Sequence, residues 1–177
     1  MGFAVVGYFD KNSDEKIKSL WQGMADANVC NYLIQSANNP HIKFYMFDEL
    51  NGQLAKKSLY ALSQRREKIN VHFKTYSFYP NDTPFICIDI AVSKPILEIQ
   101  EEIQREYSKY VTSDTRGFFE HGVWKPDCQL TRGVHKEKLA NAVNYLSETH
   151  LPFDGVLDRI GIIEFHPAKQ LFSYELL

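Results

Sequence analysis

What this 177-residue sequence lacks narrows its reading first. Its three cysteines, Cys30, Cys87 and Cys128, are scattered and show no CxxC spacing. That excludes a disulfide framework and a thiolate zinc site. HExxH, a Cys/His cluster and an acidic triplet are all missing, so no metal is expected. There is no GK[ST] and no GxGxxG, and no local sign of a Ser-His-Asp or Cys-His nucleophile, so no cofactor is expected either.

No apolar run approaches the length of a membrane span. The opening "MGFAVVGYFDKNSDEK" has too short an apolar stretch for a signal peptide and no basic leader. Val6 stands where a myristoylation signal wants Ser or Thr. The expectation is a soluble, cytoplasmic protein with no membrane partner. A net charge of -2 gives no global pull toward phosphates, so any such attraction must be local.

What is present is ordinary globular composition, 44% hydrophobic and 24% charged, in a chain long enough for one domain or two small lobes sharing a core. "FAVVGYF" (residues 3–9) reads as a central strand. Ser13 then caps a helix with Ile17, Leu20, Trp21 and Met24 on one face. "GQLAKKSLYALSQRREKI" reads as a second helix. "VHFKTYSFY" and "PFICIDIAV" are strands joined by a turn, with Ile86, Ile88, Ile90 and Val92 as one period-two face.

"KPILEIQEEIQREYSKY" is a helix with Pro95 near its start and Ile96, Ile99, Ile103, Tyr107 and Tyr110 on its buried side. The polar loop "VTSDTRGFFEHG" follows. A later helix carries Leu139, Val143 and Leu146. Two strands close the chain, with Pro167 and Ala168 in the turn between them.

One stretch asks for a chemical explanation. In "NNPHIKFYMF", strand alternation puts His41, Lys43 and Tyr45 on one face and Ile42, Phe44 and Met46 on the other. "KPDCQLTRG" echoes it: again a proline directly precedes the residue of interest, Asp127, and a helix follows. By the same alternation Gln129 and Thr131 accompany Asp127. Two strand-then-helix units in one chain suggest two similar lobes.

On these residues, together with "FAVVGYFD" and "RIGIIEF", the chain resembles the 2H phosphoesterase superfamily, which includes 2'-5' RNA ligase-like proteins and cyclic nucleotide phosphodiesterases. The likeness spans nearly the whole length. It implies one bilobal α+β domain over residues 1–177, with two pseudo-symmetric lobes of antiparallel sheet, flanking helices and a central groove. Each lobe of an active member supplies a His-x-Thr/Ser motif. His41 falls on the first histidine. Lys43 falls where Thr or Ser is usual, Asp127 on the second histidine, and Gln129 on the second Thr or Ser.

In active relatives two imidazoles flank the phosphorus, one as base and one as acid, while the hydroxyls bind the non-bridging oxygens. The resemblance therefore assigns His41 and Asp127 to the catalytic positions. Lys43, Gln129, Tyr45 and Thr131 fall to phosphate or substrate binding, and a nucleotide or RNA terminus is the implied partner. Asp127 could replace an imidazole only with its pKa raised toward neutrality. Losing one acid–base partner costs about 10²- to 10⁴-fold in rate.

Three readings follow: a phosphodiesterase with a degenerate site and weak or no activity, a non-catalytic module binding a nucleotide, RNA end or other anion, or a structural or partner-binding protein. In the last, Lys43 and Asp127 pair across the groove, His41 donates to the carboxylate, and the site satisfies itself.

Two further features have ordinary explanations. Lys56, Lys57, Arg65, Arg66, Lys68 and Lys74 form a basic segment, which reads as a solvated helix face because no aromatic interleaving offers a stacking platform. His121, in a Gly-flanked loop, is the remaining candidate for the missing imidazole, though it reads as an exposed loop residue. His72, His135, His150 and His166 show no relation to the motif.

Overall fold

A computed structural model describes residues 2–49, 51–110, 116–165 and 168–177, except for the side chain of residue 116. His166, Pro167 and the front of the loop before Gly117 thus lie outside the described residues. The order of elements is β1 (Gly2–Phe9), α1 (Lys11–Asp26), α2 (Tyr32–Gln35), β2 (His41–Phe47), α3 (Gly52–Ser63), β3 (Ile69–Tyr79), β4 (Phe85–Ile90), α4 (Lys94–Tyr107), β5 (Asp127–Gln129), α5 (Leu139–Ser147), β6 (Phe153–Phe165) and β7 (Lys169–Glu175). The fold class is α+β, and every strand pairing is antiparallel.

The strands lie in the order β1-β2-β5-β4-β3-β6-β7, and β1 also pairs with β6, so the pairings return on themselves. The long strand β6 makes this geometry. Its later part, Leu157 to Phe165, pairs with β1, and its earlier part, Phe153 to Leu157, pairs with β3. One half is thus β7-β6-β1-β2 and the other β6-β3-β4-β5, each ending in one of the two motif strands. Those two edges meet through the single backbone pair Ile42 with Cys128. Gly7 belongs to the tight join of β1, β2 and β6: a Cβ there would lie 2.6 Å from Leu157 Cδ1 and 2.7 Å from Phe44 Cε2.

The helices form where the apolar spacing demands, with instructive exceptions. Ile17, Leu20, Trp21 and Met24 of α1 are buried, as are Ile96, Ile99, Ile103 and Tyr107 of α4. The cap of α1, however, is Asp10 and not Ser13. The Asp10 carboxylate accepts from the Asn12 and Ser13 amides, from Ser13 Oγ at 2.6 Å and from the Val156 amide at 2.8 Å. A carboxylate satisfies several helix-start donors and ties them to β6, while Ser13 is left wholly buried one turn in.

Helix α5 begins at Leu139 after a 3₁₀ turn and buries Ala142 and Leu146, leaving Val143 64% exposed. Helix α5 meets α1 where the Tyr145 hydroxyl donates to the Ser19 carbonyl at 3.5 Å, and Val143 lies off the buried side. Val92 is 57% exposed, because β4 stops at Ile90 and the Ala91 amide turns to the His72 carbonyl. The short helix α2 has no counterpart in the expected elements. Among the described residues no helix is long and apolar enough to cross a membrane.

Candidate active site

The site forms where β2 meets β5. One step to either side of the Ile42–Cys128 pair, antiparallel register sets Lys43 opposite Asp127 and His41 opposite Gln129. Ile42 and Cys128 point into the core, so the other four residues share the opposite face. The two motif strands therefore converge, and their four motif residues form one cluster.

Beyond the motif the expected alternation breaks on both strands. In the β1–β2 ladder Val6 pairs with Lys43 and Val5 with Tyr45, so Phe44 is the extra residue of a bulge. Tyr45 is thereby turned inward. It is 2% exposed, with its ring edge-on to Phe119 at 5.6 Å. Met46 takes the groove side instead. On β5 the amides of both Leu130 and Thr131 reach the Ile86 carbonyl, and Thr131 Oγ1 accepts the Ile86 amide at 2.8 Å. Thr131 is wholly buried. Neither Tyr45 nor Thr131 faces the groove, contrary to their expected place in it.

His41, Lys43 and Gln129 line a cleft of about 300 Å³ with Asn38, Phe85 and Arg132 among its other walls. His41 Nδ1 lies 2.7 Å from the Asn39 carbonyl, to which it donates its proton, leaving the lone pair on Nε2. Burial, opposed by that hydrogen bond and aided by the Lys43 cation, pulls the His41 pKa down to about 4. The ring is therefore a neutral imidazole at pH 7. Tyr8 stands edge-on to it at 6.4 Å, with the Arg159 guanidinium 5.4 Å from the Tyr8 ring.

Asp127 is not among the cleft's lining residues. Its Oδ2 accepts the Tyr79 hydroxyl at 2.6 Å. Burial raises its pKa and Asp89 adds to the rise, against the pull of the Tyr79 hydrogen bond and of Lys43 and Lys125. Asp89 is its cross-strand neighbour on β4, two like charges side by side. That repulsion is offset by Lys125 Nζ at 2.8 Å and Ser77 Oγ at 2.6 Å, both donating to Asp89 Oδ1. Lys125 also lies 5.1 Å from the Tyr79 ring, which stacks on Phe85 at 4.5 Å.

The self-satisfied arrangement is therefore not formed. Asp127 takes a phenol, His41 takes a backbone carbonyl, and among the described residues no carboxylate lies within ion-pair distance of Lys43 Nζ. Chemically the cluster offers a neutral base, an ammonium and an amide on the cleft side. Beyond them is a carboxyl already accepting a hydrogen bond. Among the described residues no group of three or more His, Cys, Asp and Glu could hold a metal.

His121 is 3.4 Å from Glu101 on α4 and does not enter the groove. The basic segment is occupied elsewhere: Arg65 and Arg66 both bind Glu102, Arg66 Nη1 lies 3.4 Å from Glu98, and Lys56 sits 5.5 Å over Phe172. Tyr79, Asp89 and Lys125 were not anticipated. Alternation along β3 and β4 held the clue: Thr75, Ser77 and Tyr79 share a polar face, and Asp89 is an acid on the odd face of an isoleucine strand.

No family model matches the sequence, and no curated protein matches it. Solved structures do. The protein TT0787 of Thermus thermophilus is similar with a TM-score of 0.64 and 10% identity, over 99% of this chain and 98% of that one. E. coli LigT complexed with 3'-AMP gives 0.63 and 9%, over 98% and 97%. Kluyveromyces marxianus Usb1 gives 0.53 and 10%, over 96% of both chains. Another similar structure bears only the name phosphoesterase. With the closed strand circuit and the two converging motif strands, these likenesses show that the chain has the fold of the 2H phosphoesterase superfamily.

Proposed function

We propose that this chain, as one bilobal domain, is a 2'-5' RNA ligase-like protein. Its groove binds the phosphate of a nucleotide or RNA terminus, and its hydrolytic site is degenerate. The observation that carries this reading is the Lys43 ammonium, which lines the cleft beside His41 with no carboxylate on it among the described residues. An ammonium with no carboxylate within ion-pair distance favours an anionic ligand over a groove closed by its own side chains. Structures of E. coli LigT complexed with 3'-AMP, ATP, NADP+ and phosphate support the same ligand class.

Hydrolysis needs an acid opposite the base. His41 Nε2 can serve as base, but an ionised Asp127 has no proton to give and repels a phosphate. Turnover of cyclic nucleotides is therefore slow or nil.

The test is binding of 3'-AMP, followed by calorimetry, together with hydrolysis of 2',3'-cyclic nucleotides. Lys43→Ala weakens binding by about 10- to 100-fold, the worth of a charge-assisted hydrogen bond. Wild type and His41→Ala are slow or silent in hydrolysis, and Asp127→His gains turnover. Binding undiminished in Lys43→Ala removes the anion contact. Rapid turnover by wild type refutes the degenerate site.

A further inference from the structure

The chain's two tryptophans hold matching places, independently of any ligand. Trp124 Nε1 donates to the Lys43 carbonyl at 3.0 Å, and Trp21 Nε1 donates to the Gln129 carbonyl at 3.0 Å. Each acceptor is the third residue of a motif, His41-Ile42-Lys43 or Asp127-Cys128-Gln129. Each donor comes from the opposite half. Trp21 lies on α1, the connection between β1 and β2, yet it bonds β5. Trp124 follows α4, in the connection between β4 and β5, yet it bonds β2.

The connections themselves cross over. α4 lies against β2, with Tyr107 5.3 Å from Phe47, and Trp124 lies 5.7 Å from Phe44. α1 reaches the other half through Lys16, 4.9 Å from the ring of Phe153 where β6 begins to pair with β3.

The physical need is plain. Two edge strands joined by one backbone pair diverge on either side of it, and a carbonyl just past the junction loses its neighbour on the facing strand. An indole N–H is a donor with no competing acceptor of its own, mounted on a large rigid ring. We infer that Trp21 and Trp124 are positioning residues: reciprocal straps that fix the separation of the two motif strands, and with it the width of the cleft that His41, Lys43 and Gln129 line.

Hydrogen exchange of the full chain tests this. Trp21→Phe and Trp124→Phe keep an aromatic ring but delete the donor. Each variant is expected to speed exchange of the Lys43 and Gln129 amides, which face across the junction, about tenfold, while the β1–β6 amides of Val6 and Gly161 hold their wild-type rates. A merely structural loss speeds all slow amides together, and that result overturns the inference. So do unchanged rates at Lys43 and Gln129. Should a variant not fold, the wild type still decides: both indole N–H protons exchange well below the rate of free indole if the straps hold, and at that rate if they do not.

Discussion

Replacing Tyr79 by Phe deletes one hydrogen bond in the groove and little else. The ring that stacks on Phe85 and lies under Lys125 remains, so the packing contribution is nearly constant. What is lost is the 2.6 Å donor to Asp127 Oδ2. A hydrogen bond to a charged group contributes about 1.5–3 kcal/mol, and one between neutral groups about 1 kcal/mol. The loss should therefore depend on the charge of Asp127.

The sign follows from linkage. Burial raises the folded pKa of Asp127 above its ordinary value of 3.8, so ionising it opposes folding, and stability falls as pH rises through the folded pKa. Tyr79 limits that fall by supporting the carboxylate. Without it the fall deepens, so Tyr79→Phe costs about 2 kcal/mol at pH 7 and about 1 kcal/mol or less near pH 3.5. The titration of His41 is common to both proteins and cancels in the difference. Urea unfolding of the two proteins at both pH values measures it, and the neutral-pH loss corresponds to about 4–8 °C in Tm. A loss that is flat with pH, or greater in acid, refutes the assignment of Tyr79 to an ionised Asp127.

Three other outcomes are expected. His41, held neutral with its pKa near 4 against 6.5 unfolded, contributes stability that is complete above pH 6.5 and lost as pH falls toward 4; wild type should lose up to about 3 kcal/mol across that window and His41→Gln much less, by urea midpoints. Thr131→Val leaves the buried Ile86 amide without its acceptor and should cost about 1–3 kcal/mol in unfolding while leaving 3'-AMP affinity unchanged; weakened binding at full stability would restore Thr131 to the groove. Gly7→Ala drives a methyl against Leu157 and Phe44 at 2.6 and 2.7 Å, and should lower stability by about 1–3 kcal/mol in thermal unfolding; an unchanged Tm would mean that the join of β1, β2 and β6 is looser than described.

The order of strands and helices was legible because each carries its own period. Ile96, Ile99, Ile103 and Tyr107 announce α4 as plainly as Ile86, Ile88 and Ile90 announce β4. The convergence of His41, Lys43, Asp127 and Gln129 was legible only through the resemblance, since nothing local says which distant strands will pair. Tyr45 and Thr131 show where alternation fails. A bulge needs no special residue, and one extra residue at Phe44 reverses every side chain after it. The cap of α1 failed for a related reason. Asp10 and Ser13 are both good caps by type, and the Val156 amide arriving from β6 makes Asp10 the better-satisfied one.

The surroundings of Asp127 suit a carboxylate. Tyr79 donates to it, Lys43 and Lys125 stabilise its charge, and Asp89 beside it is paired with Lys125 and accepts from Ser77. On this face the two ammonium groups match the two carboxylates, so removing the charge of Asp127 leaves one ammonium in excess. Asp127→Asn and Asp127→His should therefore both bind 3'-AMP more tightly than wild type, whatever happens to catalysis, and more so at low salt. Only Asp127→His adds an acid with a pKa near neutrality, so only that variant should turn over a cyclic nucleotide. Affinity rising in both with turnover in one separates the electrostatic role of Asp127 from the chemical role of the position it occupies. Affinity unchanged in both would mean that Asp127 does not act on the phosphate, and that Lys43 alone sets the charge the ligand meets.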